Sequence, residues 1–253
     1  MRNSWLPGLP VAPSRVDEHP GLPEPRCYTI AATGEKPEWA LAEPLRVGCF
    51  HPASSDHRPL TTARAVSAAH SLWVRFDVQD RYVRSVCTRY LDPVCSDSCV
   101  EFFVQPAARG GYFNFEVNCG GTLLLYYIED WRRTDDGFER YRPVAHHDAE
   151  GIVVSHTLPQ VVEPEITHPV EWSVVLRIPL RMLERYVGHR VEPAGTWRGN
   201  FYKCADNTSH PHWASWSPIG DRLDFHQPER FGTLIMAAGD ACNQGSFSPR
   251  RGQ

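Results

Sequence analysis

Lysine is almost missing from this chain. Lys36 and Lys203 are the only two, and arginine supplies the rest of the 26 basic residues. Against 30 acidic residues the formal charge is −4 and no basic run occurs. Nothing therefore offers an electrostatic footprint for nucleic acid or for an anionic membrane surface. Long apolar runs are missing as well, and none approaches the ~20 residues that a bilayer-spanning helix needs. The segment from Met1 to Pro25 carries Arg2 and Arg15 but no apolar centre, so it does not read as a signal peptide. As written, the chain is expected in the cytoplasm; a start site lying further upstream would make it a secreted protein. Long segments of period 3.6 are also lacking, which removes doubly wound and TIM-barrel architectures. So are the Walker loop, the G-x-S-x-G elbow, the H-E-x-x-H helix and the G-x-G-x-x-G turn.

What is present points to short elements. The 22 prolines and 18 glycines imply many turns, and a hydrophobic fraction of 42% suffices for a core. All-β sandwiches reach 253 residues as one unit. Residues 1–26 repeat Leu-Pro and Glu-Pro steps and read as an extended lead. From Cys27 the pattern turns strand-like, with short runs at Leu45–Phe50, Thr61–Ser67 and Leu72–Val78. The clearest region follows. Cys99–Gln105, Tyr112–Asn118 and Thr122–Ile128 are aromatic-rich runs, with Gly110-Gly111 and Gly120-Gly121 between them, as in consecutive hairpins. Ile152–Leu158, Glu171–Ile178, Thr196–Ala205 and Phe231–Met236 continue the series. Only Leu180–Val187, introduced by Pro179, places apolar residues on one helical face. The predicted fold is an all-β, antiparallel β-sandwich of jelly-roll type over 27–238, with one short helix at 180–187 and a disordered polar tail over 239–253.

Eight cysteines (Cys27, Cys49, Cys87, Cys95, Cys99, Cys119, Cys204 and Cys242) are too few for a disulfide scaffold in a domain of this size. Cys95 and Cys99 have C-x3-C spacing, but structural zinc usually shows two close pairs and a second is not visible. Buried free thiols are the expectation. His146-His147 and His210-Pro211-His212 are the histidine clusters; an H-x-H pair on a strand could ligate a metal, but here proline separates it, and surface or hydrogen-bonded histidines are the expectation. Glu101 and Glu116 fall on neighbouring strands, where two acids serve glycoside hydrolysis, calcium ligation or merely a solvated sheet face.

Five segments in order resemble a known family: Asp97-Ser98-Cys99-Val100-Glu101-Phe102-Phe103-Val104, Tyr112 to Asn118, Asn200 to Asp206, Trp213 to Pro218, and Phe225 to Gly232. This series is similar to the family 9 carbohydrate-binding modules, in particular their stand-alone relatives, over roughly Gly34 to Ala237. The resemblance implies a non-catalytic β-sandwich serving carbohydrate catabolism, binding a sugar or glycan end between two tryptophans, with calcium as a structural ion and no organic cofactor. It implies action alone or beside a partner glycoside hydrolase. Carried over by motif, Glu101 matches an acid that contacts sugar. Phe225 stands where one clamping tryptophan lies, Cys95 where the other does, and Glu116 where the family has an arginine. Rings for the apolar faces of a sugar and polar groups for its hydroxyls are the required chemistry. The expected ligand set is therefore Phe225, Glu101, Glu116, Trp131, Trp213, Arg89 and Asn118, with Trp216 assigned to the core. Two other readings compete. One is a glycoside-processing enzyme using Glu101 and Glu116. The other is a haem-binding or redox sandwich, which would have to use histidine ligands, since only three methionines and no C-x-x-C-H motif occur.

Overall fold

A computed structural model describes residues 26–238 apart from 136 and 193. All but the last residue of the proline-rich lead, and the whole polar tail, lie outside the described residues. In chain order the strands are β1 (Cys27–Ala32), β2 (Leu45–Val47), β3 (Cys49–Phe50), β4 (Leu60–Ala68), β5 (Ser71–Asp80), β6 (Val83–Ser85), β7 (Cys99–Gln105) and β8 (Tyr112–Asn118). They continue as β9 (Leu123–Thr134), β10 (Gly137–Pro143), β11 (Val153–His156), β12 (Val162–Ile166), β13 (Val170–Pro179), β14 (Gly195–Ala205), β15 (His212–Ser215) and β16 (Gly232–Met236). Two short helices accompany them, α1 (His146–Ala149) and α2 (Leu180–Val187).

The strands form a β-sandwich. Its front sheet runs β10-β9-β8-β7-β14-β16-β1, and its back sheet runs β1-β4-β5-β13-β11. β1 belongs to both: Cys27–Ile30 pair with β16, then Ala31 and Ala32 pair with β4, in each case parallel. The other described pairings are antiparallel. One apolar core fills the space between the sheets. Val74, Phe76, Trp172, Val174 and Leu176 face Val100, Phe102, Phe115, Val117 and Phe201 across it. Alternation along β7 and β8 sends every second residue into this core, and the intervening residues point to the other side of the sheet, as a period of two requires. Those outward residues are buried too, under a second layer of side chains.

Several runs differ from their expected bounds. Leu45–Phe50 is not one strand: it breaks at Gly48, and β2 joins β4 while β3 joins β15. The third hairpin run extends to Thr134, and β10 completes it. β10 (GFERYRP) escaped sequence reading because it is an edge strand with an exposed, charged face, which hides its apolar alternation. The helix keeps its expected bounds. It follows Pro179 and stops at Gly188, whose φ of 79° closes the last turn with a hydrogen bond from its N–H to Glu184 O.

A charged cluster sits inside the sandwich. Lys203 of β14 is fully buried and donates to the backbone oxygen of Cys204 at 3.0 Å and to His212 Nε2 at 2.8 Å. The Nδ1 of His212 lies 2.9 Å from His210 O, so the ring is neutral with its proton on Nδ1. Asp80 of β5 lies 3.5 Å from the Lys203 ammonium. Asp80 also receives hydrogen bonds from the Arg81 N–H, from Trp172 Nε1 and from His57 Nε2, the last at 2.7 Å. The pair thus ties the front sheet to the back sheet. Removing one partner of such a pair leaves an uncompensated buried charge. Lys203→Met is expected to lower unfolding free energy by about 3–5 kcal/mol in urea titrations; a loss under about 1 kcal/mol would show the pair to be dispensable.

Candidate functional site

The register of three strands assembles the outer face of the front sheet. Glu101 on β7 is directly opposite Glu116 on β8 and Tyr202 on β14, while Cys99 is opposite Cys204 and Asn118. Glu101 and Glu116 are both buried, at 2% and 6% exposure. Cys204 donates its thiol to Glu101 Oε1 at 3.0 Å, and Asn114 donates its amide to Glu116 Oε1 at 2.8 Å. Burial raises both carboxyl pKa values. The neighbouring Glu116 pushes Glu101 further, and Glu116 stands at about 8. Asp206, half-buried beside them, is also raised by burial although Trp213 Nε1 donates to it at 2.7 Å. Among the described residues none of these three acids is paired with arginine or lysine.

Rings border this polar strip. Phe225, Tyr126 and Trp213 are half-buried and pack on Val94, Cys99, Leu124 and Cys204. Phe225 and Tyr126 also join Trp131 over a second cluster of Phe103, Tyr112, Ile128, Phe138 and Tyr202. Phe225 lies flat on Tyr202, with centroids 4.1 Å apart and planes at 13°. It is therefore less exposed than a free rim residue, and its loss removes packing as well as a ring face.

The turn that carries Phe225 is held from three sides. Asp224 pairs with Arg133 of β9 at 2.9 Å and with Arg222 at 2.7 Å, and accepts the His226 N–H. Burial alone would raise Asp224; Arg133 and His226 hold it at about 2 instead. Gln227 donates to the backbone oxygens of Ile219, Arg222 and Asp224, closing the loop on itself. Beneath it, the buried His226 lies with Nδ1 2.8 Å from the Tyr112 hydroxyl. Burial and the nearby Arg133 depress its pKa to about 3.

The other predicted ligand residues fall elsewhere. Asn118 is fully buried and its amide is spent on the chain: Nδ2 donates to Cys87 O and Asp97 Oδ2, and Oδ1 accepts the Thr122 N–H. It braces the loop before β7 and presents nothing to a ligand. Arg89 is exposed on that loop and pairs with Asp92 at 3.3 Å. Trp216 is core, at 4% exposure. Sequence reading missed Tyr126, Asn114, Cys204 and Arg133. The run Leu123-Leu124-Leu125-Tyr126-Tyr127-Ile128 is apolar throughout, so it carries no sign of which side faces out.

A cleft of about 600 Å³ lies away from these rings, lined by His70, Arg177, Leu180, Arg181, Glu184 and Arg190. Its lining carries no phenylalanine, tyrosine or tryptophan ring on which a sugar could stack.

A β-sandwich whose sheet face combines exposed ring edges with a hydrogen-bonding strip is the architecture of a binding module. The chain belongs to carbohydrate-binding family 9, whose family model matches residues 42–236. A structure from Bacteroides uniformis, described as that of a candidate carbohydrate-binding protein, is 26% identical, with a TM-score of 0.73 over 84% of this chain and 99% of that one. Two structures of a family 9 module from Caldicellulosiruptor kristjanssonii share the fold. The cellotriose complex has a TM-score of 0.56 at 12% identity over 88% of this chain and 100% of that one. The glucose complex has 0.55 at 14% identity over 86% and 100%. No curated protein matches the chain.

The calcium that the resemblance implies would draw on backbone carbonyls as well as side chains. Calcium takes six to eight oxygen ligands. A single group of three or more histidine, cysteine, aspartate or glutamate side chains converges among the described residues, and two of its three donors are thiols.

The buried titratable groups set a pH dependence for the metal-free protein. His212 and His226, each held at about 3, stay neutral in the fold, whereas in the unfolded chain they protonate near about 6.5. Their contribution is complete above about 6.5 and is lost as pH falls toward 3. Glu101 and Glu116 act in the opposite sense. Their raised values make the fold hold protons that the unfolded chain releases near about 4.3, so their contribution is lost as pH rises, that of Glu116 as it passes about 8. The two effects offset between about 4.5 and 6.5. Urea midpoints measured from pH 3 to 9 are expected to show a maximum there, with losses on both sides, and Glu116→Gln should flatten the alkaline limb. Midpoints that keep rising from pH 6.5 to 8 would contradict this assignment.

Proposed function

We propose that this chain is a non-catalytic module that binds a sugar or the end of a glycan on the outer face of the front sheet, in the service of carbohydrate breakdown. The observation that carries this is the convergence of Phe225, Trp213, Tyr126 and Trp131 around one hydrogen-bonding strip. Sugars present apolar C–H faces that stack on rings, while their hydroxyls need donors and acceptors close by. Protonated Glu101 and Glu116 would offer both. The sugars in the Caldicellulosiruptor complexes, cellotriose and glucose, make β-linked glucose oligomers the first ligands to try. Action beside a glycoside hydrolase suits a module of this kind.

The enzymatic reading of the two acids is weaker on electrostatic grounds. Hydrolysis by a carboxyl pair needs one acid protonated and the other ionised. Here burial raises both, and among the described residues neither is ion-paired with a cation that would hold it ionised.

Calorimetric titration with cellotriose and glucose should give dissociation constants near the millimolar range, about −4 kcal/mol. Losing one stacked ring is worth about 0.5–1.5 kcal/mol beyond area burial, so Phe225→Ala and Trp213→Ala should each weaken binding about two- to tenfold. Phe225→Trp should retain it. Absence of binding across a glycan panel by folded protein would overturn the proposal, and so would release of reducing ends that Glu101→Gln abolishes.

A further inference from the structure

The same register that builds the ring-lined face also builds a set of soft metal donors below it. Cys99 and Cys204 stand opposite each other on β7 and β14, and Glu101 lies two residues along β7 on the same side. Their Sγ and carboxylate oxygen atoms all lie within 4.8 Å of one another, and the three residues are 0%, 1% and 2% exposed. We propose that Cys99, Cys204 and Glu101 form a binding site for a thiophilic divalent cation, with Zn2+ as the natural candidate.

Geometry carries the proposal. A tetrahedral zinc with Zn–S bonds of about 2.3 Å places two sulfurs about 3.8 Å apart, a spacing within the 4.8 Å over which the donor atoms already converge. The oxygen is already in place, with Glu101 Oε1 3.0 Å from Cys204 Sγ. The C-x3-C spacing of Cys95 and Cys99 lacked a second pair in the sequence; β14 delivers the missing thiol from over a hundred residues away. Cys95 packs against the same cluster and is the donor available for the fourth position.

The surroundings favour a cation. Glu116, buried, and Asp206, half-buried, crowd the cluster, and neither they nor Glu101 has an arginine or lysine ion-pair partner among the described residues. Lys203 points into the core on the other side of β14, where Asp80 and His212 engage it. A divalent ion would replace the protons of two thiols and one carboxyl, and would neutralise most of the charge so formed. Two sulfurs among three donors select zinc or cadmium over calcium and magnesium.

The test uses the full chain, reduced and stripped with chelator, then titrated with Co2+ under anaerobic conditions. One equivalent should bind, with the intense visible bands of a tetrahedral ion and a thiolate charge-transfer band, and Zn2+ should displace it. Cys204→Ser and Glu101→Gln should each weaken binding at least tenfold, whereas Cys27→Ser, which alters an exposed thiol on β1, should leave it unchanged. X-ray absorption at the zinc edge of the unmutated protein avoids variants that fold poorly, and should count two or three sulfurs. Three results overturn the proposal: a cobalt spectrum without the charge-transfer band, equal loss in Cys27→Ser, or a zinc edge showing only light-atom ligands.

Discussion

One register governs this molecule: the pairing of β7 with β8 on one side and β14 on the other. It places Glu101 between Glu116 and Tyr202, and Cys99 between Asn118 and Cys204. A slip of one residue would exchange the two sides of β7, turning Val100, Phe102 and Val104 out of the core and Cys99, Glu101 and Phe103 into it. The core fixes the register because three apolar residues on each of β7 and β8 have nowhere else to go. The outer face proposed to bind ligand is thus a by-product of how the core packs. Its polar strip is as rigid as the sheet, while its rings come from strands and loops laid over that sheet.

The two sides of the front sheet handle charge differently. On the core side, Lys203 and Asp80 pair with each other, and His212 and His57 complete their hydrogen bonds. On the outer side, Glu101, Glu116 and Asp206 have no such partner among the described residues, and burial raises the pKa of each. A protonated carboxyl donates as well as accepts, which suits a neutral ligand rich in hydroxyls. The same uncompensated side chains are also the ones a divalent cation would recruit. Cation uptake and sugar contact, as proposed, would both draw on Glu101.

Much of the fold was legible in the sequence because it rests on local signals. The glycine pairs between β7, β8 and β9, the runs of β7 and β8, and the helix set by Pro179 and Gly188 all lie within a few residues of their causes. The site was legible in part. Glu101, Glu116, Trp213 and Phe225 come together, and the family motifs pointed to three of them. What could not be read is what depends on partners distant in sequence. Asn118 has the chemistry of a sugar ligand, yet its amide is consumed by Cys87 and Asp97. Cys204 gains its meaning only from the strand opposite. Lys203, one of two lysines in the chain, gave no sign that it would be fully buried.

The central claim is that rings on the outer face of the front sheet form the ligand platform, and the indole signals of nitrogen-15-labelled protein address it directly. Trp213 and Trp131 are half-buried at the platform, whereas Trp172, Trp197 and Trp216 are buried in the core between the sheets. Titration with cellotriose, followed by two-dimensional correlation spectra, should shift the Trp213 indole N–H most, because its hydrogen bond to Asp206 lies at the polar strip. Trp131 should shift as well, and the three core indoles should stay in place. Saturable shifts confined to indoles away from this face, with Trp213 and Trp131 unmoved, would contradict the account.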